Sequence, residues 1–436
     1  MKQLIEKELV NGAIKQCGLE NLGNSTIREI VGLVNILQQK TGEKFVRMEM
    51  GSPGLSAPEI GIKGEIEALK QGVASVYPMV DGEKTLKEEA SRFIKNFIGI
   101  DLKPEGCIPT VGSMQGGYAT FMLCGNLDLK KDTALFIDPG FPVQKQQFNV
   151  LGLKCDSFDI YDFRGKKLKE KLESFLQKGN INCIIYSNPN NPCWICLTEE
   201  ELKIIGELAT KYDVVVIEDL AYFGMDFRRI SYHPGLPPYQ VSVANYTDNY
   251  VLMISGSKAF SYAGQRISVV AISDALFHRK YPNLLKRFGR DEFGATFVLR
   301  IIYALTSGVC HSAQYGMAAM LKAANDGNYD FITEVYEYAE KAKLMKKMFL
   351  NAGFNIVYDK DIDMDIADGF YFTIAYPGLS GGELLAELLC YGISAITLYD
   401  TGSTKNEGLR ACVSQVKRDQ LPILEERLKM FKENNN

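Results

Sequence analysis

Histidine and tryptophan are scarce in this chain of 436 residues, which has three histidines and one tryptophan. None of the histidines (His233, His278 and His311) has neighbours typical of a catalytic triad, so catalysis by a histidine base is not expected. No apolar run approaches the roughly 18 residues that span a membrane. The N-terminus lacks the continuous apolar stretch of a secretion signal, which predicts a cytoplasmic protein.

The chain also has little net charge. It carries 49 basic and 53 acidic residues, a formal charge of -4, so neither nucleic acid nor a membrane surface is expected as a partner. Cys193 and Cys196 have CxxC spacing, but no second pair and no histidine at zinc spacing completes a metal site. Reduced, buried thiols are the main interpretation, and a redox role for this pair is the alternative.

Short apolar runs separated by amphipathic segments make up most of the first 310 residues. The runs are rich in β-branched residues, which is typical of strands that are buried on both faces. Thr198 followed by Glu201 is a capping box, which predicts a helix start between two runs. This alternation predicts an α/β fold in which a mostly parallel sheet lies between helices. The runs cover residues 134–137, 183–186, 214–217, 250–254 and 267–272.

The pattern changes near residue 310. Residues 313–350 have a long helical pattern, short strands follow near 354–358 and 369–375, and a final helix is expected near 420–432. A second, smaller α+β domain is therefore expected at the C-terminus. The predicted organisation is an N-terminal segment (1–60) that packs with the small domain, a large domain (61–310) and the small domain (311–436).

Polar residues follow several of the apolar runs. Asn191, Asp219 and Lys258 each come soon after such a run. Ligands of an open parallel sheet bind beyond the carboxyl ends of its strands. We therefore expect these three side chains at one edge of the sheet. A single lysine in this position is usually only solvated, so the argument depends on the whole set.

The segment from Ser255 to Arg266 resembles the lysine signature of the fold-type I, class I/II aminotransferases, the aspartate aminotransferase superfamily, which use pyridoxal 5'-phosphate (PLP). The signature is Ser-x-Ser-Lys followed by Gly-x-Arg, and the resemblance covers roughly residues 47–415. It implies the PLP transferase fold. The other matching motifs, in the family's order, are Tyr77 with Gly82 and Leu86, Gly112-Ser113-Met114, Pro139-Gly140-Phe141, Asn191-Pro192, Asp219 with Tyr222, and Gly408-Leu409-Arg410.

The resemblance implies that Lys258 carries PLP as a Schiff base and later moves the Cα proton of the substrate. Asp219 would pair with the pyridinium nitrogen of the cofactor. Tyr222 and Asn191 would hydrogen-bond the phenolic oxygen of the ring, and Phe141 would stack on the ring face. Lys258, Asp219 and Tyr222 are thus the implied catalytic residues.

By the same resemblance, the cofactor phosphate would bind at the turn 112–114, where a helix start presents backbone N–H groups. Ser255, Ser257 and Arg266 would complete this cradle. In the family, the residue at the position of Tyr77 reaches the phosphate of the neighbouring subunit. A homodimer with shared active sites is therefore implied.

Arg410 would bind the substrate α-carboxylate through its planar guanidinium group, with Gly51 and Asn191 beside the substrate. The implied reaction moves an amino group between an amino acid and a 2-oxo acid. A lyase or decarboxylase that uses the same site is the alternative. A non-enzymatic PLP-binding regulator is a further one, although residues 1–50 leave no room for a DNA-binding domain.

Three departures from the family pattern indicate a divergent branch. Cys193-Trp194 stands where the family often has Thr-Gly, and Ser268 stands where glycine usually follows the arginine. Gly116-Gly117 replaces the usual start of the phosphate-binding helix, which weakens that helix by roughly 1 kcal/mol per glycine. None of these changes removes a group with an implied catalytic role.

Overall fold

The computed structural model describes residues 3–229 and 232–435. The chain divides into two compact units. The larger, here called the large unit, comprises Ser56–Pro189 and Cys196–Val335. The smaller, here called the small unit, comprises Met1–Leu55, Asn190–Ile195 and Tyr336–Asn436. Six residues that follow β5 in the chain therefore belong to the small unit, although the chain on both sides of them belongs to the large one.

The strands and the α-helices are given separately, each in chain order. The strands are β1 (Val46–Arg47), β2 (Cys107–Val111), β3 (Thr133–Asp138), β4 (Lys154–Asp159), β5 (Ile181–Ser187), β6 (Val215–Leu220), β7 (Tyr250–Ser255), β8 (Ile267–Ile272), β9 (Asn355–Ile356), β10 (Lys360–Asp361), β11 (Met364–Asp365), β12 (Tyr371–Ala375), β13 (Ile393–Ser394), β14 (Ile396–Thr397) and β15 (Leu409–Cys412). The α-helices are α1 (Lys7–Gln16), α2 (Ile27–Thr41), α3 (Glu59–Lys70), α4 (Lys84–Ile98), α5 (Gly112–Cys124), α6 (Pro142–Leu151), α7 (Lys167–Leu176), α8 (Glu199–Tyr212), α9 (Asp274–Phe277), α10 (Pro282–Phe288), α11 (Phe293–Thr296), α12 (Tyr303–Thr306), α13 (His311–Asn325), α14 (Phe331–Val335), α15 (Glu337–Asn351), α16 (Gly381–Leu389) and α17 (Leu421–Asn435).

The large unit is built on a 7-stranded sheet with the order β2-β8-β7-β6-β5-β3-β4. Strand β8 runs antiparallel to both of its neighbours, and the other pairs are parallel. Every residue of β3, β5, β6, β7 and β8 is buried, because helices cover both faces of the sheet. The predicted α/β class with a mostly parallel sheet is confirmed.

The predicted helix start at Thr198 is present. The Thr198 side chain accepts a hydrogen bond from the Glu201 amide, and the Glu201 carboxylate accepts one from the Thr198 amide, so α8 begins with a capping box. Glu201 is fully buried, and Arg164 contacts both of its carboxylate oxygens, at 2.7 and 3.0 Å. These contacts fix the start of α8 against the loop that precedes α7.

The small unit contains a 4-stranded antiparallel sheet with the order β14-β15-β12-β9. In its register, Arg410 on β15 lies opposite Thr373 on β12. A parallel pair of β1 and β13 joins the N-terminal segment to the rest of this unit. Within the described ranges of the chain, no helix is long and apolar enough to cross a membrane.

Candidate active site

One edge of the large sheet gathers most of the polar residues that the sequence singles out. Strands β2, β3, β6 and β7 end at this edge, and the antiparallel β8 begins there. Val111 lies opposite Ile267, and Ser255 lies opposite Ser268. The sheet therefore brings together the turn at residue 112, Asp219, the Ser255–Lys258 segment and Arg266.

The start of α5 has the chemistry of an anion site. Gly112 has a positive φ of 64°, and a Cβ atom there would lie 2.3 Å from Nη2 of Arg266. Glycine is thus required for the guanidinium group to approach the backbone. The N-cap residue Val111 provides no side-chain cap, and the Arg266 side chain is exposed. The Gln115 side chain accepts from the Val111 amide at 2.7 Å. The Nη1 atom of Arg266 also lies 3.5 Å from the hydroxyl of Ser257, so cationic and hydroxyl donors meet at a helix N-terminus.

Ser268 links two parts of this edge. Its buried hydroxyl donates to the carbonyl oxygen of Ile254 at 2.8 Å and lies 3.0 Å from the hydroxyl oxygen of Ser113. A hydroxyl group has one hydrogen, so the bond to the carbonyl makes Ser113 the donor of the second bond. Glycine, which is usual at this position in the family pattern, could make neither bond.

Asp219 is buried at the end of β6. Its Oδ1 accepts from the amide of Ala221, and its Oδ2 accepts from Nε2 of Gln144, both at 3.1 Å. Loss of hydration on burial raises the pKa of Asp219 from 3.8 to about 6, although these two hydrogen bonds oppose the rise. A carboxylate that is costly to ionise in isolation suits a partner that carries a positive charge.

Sequence reasoning missed Gln144. It lies in the first turn of α6, three residues after Phe141, and Pro142 begins that helix. Its side chain is buried. The sequence did offer a signal for Gln144. It is a polar residue in the first turn of a helix that starts at the carboxyl edge of the sheet.

The remaining sequence-predicted residues of the large unit differ in exposure. Lys258 lies three residues after β7 and is half-buried, as are Phe141 and Met114. Tyr222 is buried just beyond β6. Tyr77 instead is 89% exposed and lines an open groove of about 740 Å³ together with residues 306–312.

The small unit brings Arg410, Asn191 and Gly51 together. The buried Arg410 donates from Nη2 to the carbonyl oxygen of Glu49 at 2.6 Å and from Nη1 to Oδ1 of Asn191 at 3.2 Å. Its guanidinium carbon lies 4.5 Å from the ring centre of Tyr371. A Cβ atom on Gly51 would lie 2.3 Å from the Tyr371 hydroxyl. The Arg410 Nε has no hydrogen-bond partner among the described residues, which leaves one buried donor for a ligand.

Cys193 and Cys196 are both buried. The Cys193 thiol donates to Oδ1 of Asn190 at 2.9 Å, within the same turn that holds Asn191. Both thiols of the pair are thus buried as expected, whereas Cys155 and Cys310 are exposed.

The sequence matches the family described as aminotransferase class I and II over residues 49–428. The chain belongs to this family. The resemblance drawn from its motifs is confirmed, and the enzyme class of the family is aminotransferase.

Similarity to individual members of the family is distant. A probable aspartate aminotransferase of Methanocaldococcus jannaschii is 24% identical over 257 residues, which are 59% of this chain and 63% of that protein. An LL-diaminopimelate aminotransferase of Halothermothrix orenii is 26% identical over 303 residues, which are 68% of this chain and 70% of that protein. The chain thus spans less than two thirds of the first relative and slightly more of the second.

Solved structures of aminotransferases share the fold over nearly the whole chain. The aspartate aminotransferase from Thermotoga maritima has a TM-score of 0.75 at 18% identity, covering 97% of this chain and 99% of that one. The alanine aminotransferase from Pyrococcus furiosus has a TM-score of 0.75 at 18% identity, covering 94% and 97%. The expected PLP transferase fold is therefore confirmed.

Proposed function

We propose that this chain moves an amino group between an amino acid and a 2-oxo acid, with PLP held covalently on Lys258. One observation carries the proposal. A lysine, a buried carboxylate and a helix start with an arginine beside it lie at one edge of the large sheet. When bound, PLP supplies an electron sink for the Cα–H bond of the amino acid.

The side chains at this edge fit the charges of PLP. Asp219 would hold the proton on the ring nitrogen, because a cation there offsets the desolvation that raises the pKa of this carboxyl group to about 6. The α5 N-terminus and Arg266, with Ser113, Ser255 and Ser257, would hold the phosphate. Tyr222 would donate to the phenolic oxygen, and Phe141 would lie on the ring face.

The other residues would bind the substrate and move its proton. The neutral amine of Lys258 would take the proton from the substrate Cα and return it to a carbon of the cofactor. Transamination needs this proton shift. Arg410 would hold the α-carboxylate beside Gly51 and Asn191. A guanidinium group that is already oriented by Glu49 and Asn191 loses little freedom when a carboxylate binds.

The test begins with the attachment of the cofactor. Purified protein is mixed with PLP, reduced with borohydride and digested, and the peptides are analysed by mass spectrometry. We expect the phosphopyridoxyl mass on Lys258 and its loss in Lys258→Ala, whereas Lys280→Ala, which removes an exposed lysine, retains it. An unmodified Lys258 in the wild type would sink the assignment.

A second measurement separates transamination from the lyase or decarboxylase reaction. An amino acid added to the PLP-loaded protein should convert the cofactor to pyridoxamine phosphate and release one 2-oxo acid per site, with no ammonia or carbon dioxide. Release of ammonia or carbon dioxide without any 2-oxo acid acceptor would favour the lyase or decarboxylase reaction. A panel of amino donors with pyruvate and 2-oxoglutarate then identifies the substrates.

We further propose that the protein is a homodimer in which Tyr77 contributes to the phosphate site of the other subunit. The surface around Tyr77 is apolar and exposed: Val76 is 60% exposed and Met79 is 71% exposed. Exposed apolar side chains this close together are unusual on a monomer and suit a protein interface. A second copy of the chain is the partner that this proposal assigns to the surface.

A further inference from the structure

Trp194, the one tryptophan of the chain, has an unusual backbone conformation. Its φ angle is 66°, in the left-handed region that bulky residues rarely adopt. This is one of the positions at which the chain departs from the glycine of the family pattern. A strained conformation persists only where the surrounding structure holds it, and such conformations cluster at functional sites.

The indole ring of Trp194 is fully buried in the small unit. It lies against the backbone of Gly369, where a Cβ atom would be 2.0 Å from Cε2 of the indole. The absence of a side chain at Gly369 therefore makes the space that the ring fills. Gly369 lies two residues before Tyr371, so the ring is held close to the start of β12.

Trp194 also contacts the residue that stacks on Arg410. Its ring meets Tyr371 edge to face, with centres 6.1 Å apart and an angle of 68°. The guanidinium group of Arg410 in turn lies over the ring of Tyr371. The turn 191–194 thus contacts this pair twice, because Asn191 accepts from Arg410 and Trp194 packs on Tyr371.

We propose that Trp194 is a positioning residue that fixes the Tyr371 ring and, through it, the guanidinium group of Arg410 for the substrate carboxylate. The proposal rests on the function proposed above for Arg410. The attraction between a guanidinium group and an aromatic ring depends on where the ring lies. A guanidinium group that is fixed beforehand has less side-chain freedom to lose on binding.

Two variants test the proposal from opposite sides of the contact. Trp194→Phe replaces the indole that contacts Tyr371 with a smaller ring. Gly369→Ala places a methyl group where the indole lies. Propionate is titrated into the PLP-loaded protein by calorimetry, with propionamide as the uncharged control ligand. We expect both variants to weaken propionate binding by up to about tenfold, with the affinity for PLP unchanged. The KM for the amino acid should rise while kcat changes little.

Trp194 itself provides a second signal. As the only tryptophan, it is the sole source of indole fluorescence. Propionate should change that emission in the wild type, whereas propionamide should not. An emission that propionate leaves unchanged would count against the coupling between Trp194 and the carboxylate site.

Phe354→Leu is the matched control, because Phe354 is buried in the same unit and packs against Phe349 and Phe431. It should lower stability and leave propionate binding unchanged. Wild-type affinity in Trp194→Phe, or an equal loss in the control, would overturn the proposal even if Gly369→Ala does not fold. A wild-type protein that binds PLP and no propionate would instead refute the role of Arg410.

Discussion

Asp219 has a cost of ionisation that can be measured without cofactor or substrate. The buried carboxyl group has its pKa raised from 3.8 to about 6, and the largest cause is loss of hydration. A rise of about 2 pKa units corresponds to about 3 kcal/mol between the protonated and ionised forms. Asparagine has the same shape as aspartate and no charge, so Asp219→Asn should remove this cost from the cofactor-free protein.

The sign of the effect follows from proton binding. The folded protein holds the Asp219 proton more tightly than the unfolded chain does. The free energy of unfolding therefore falls as the pH rises from about 4 to about 6, and the full loss of about 3 kcal/mol is present above that range. We expect cofactor-free Asp219→Asn to match the wild type near pH 4 and to be more stable by about 3 kcal/mol at pH 8.

Urea unfolding of the cofactor-free proteins between pH 4 and pH 8 measures this difference. Asp162→Asn, at an exposed aspartate, is the control: it keeps Asp219, so its difference in stability from the wild type should not change with pH. Gln144→Leu removes the donor to Oδ2 of Asp219, so the midpoint of the loss should move above about pH 6. A difference between Asp219→Asn and the wild type that is constant with pH, or of opposite sign at pH 8, would refute the reasoning.

Two predictions concern the phosphate site. Ser268→Ala removes the acceptor that holds the Ser113 hydroxyl, so binding of PLP should weaken a few-fold while binding of pyridoxal, which has no phosphate, should not change; equal losses for both ligands would contradict this role. If Tyr77 acts across a dimer, mixing inactive Tyr77→Ala and Lys258→Ala subunits should restore activity, because each hybrid contains one complete site. Hybrid dimers that remain inactive would show that Tyr77 acts within its own subunit.

The sequence alone determines the main features of the large sheet and the order of its motifs. Apolar runs of β-branched residues predict buried strands because the length and composition of such a run are local properties of the chain. Lys258 and Arg266 belong to one short segment, so their spacing can be read directly. Asp219 is predictable because it lies two residues after an apolar run, and such runs end at one edge of a parallel sheet.

Only the tertiary structure determines the contacts that orient these groups. Gln144 lies 75 residues from Asp219, and Ser113 lies 155 residues from Ser268, so both contacts depend on strand order and on the faces that side chains occupy. Asn191 and Arg410 are 219 residues apart in the chain. They meet because residues 190–195 belong to the small unit, although the chain on both sides of them belongs to the large unit. Local patterns predict which residues carry charge and which are buried, whereas the partners of a buried charge depend on how distant segments pack.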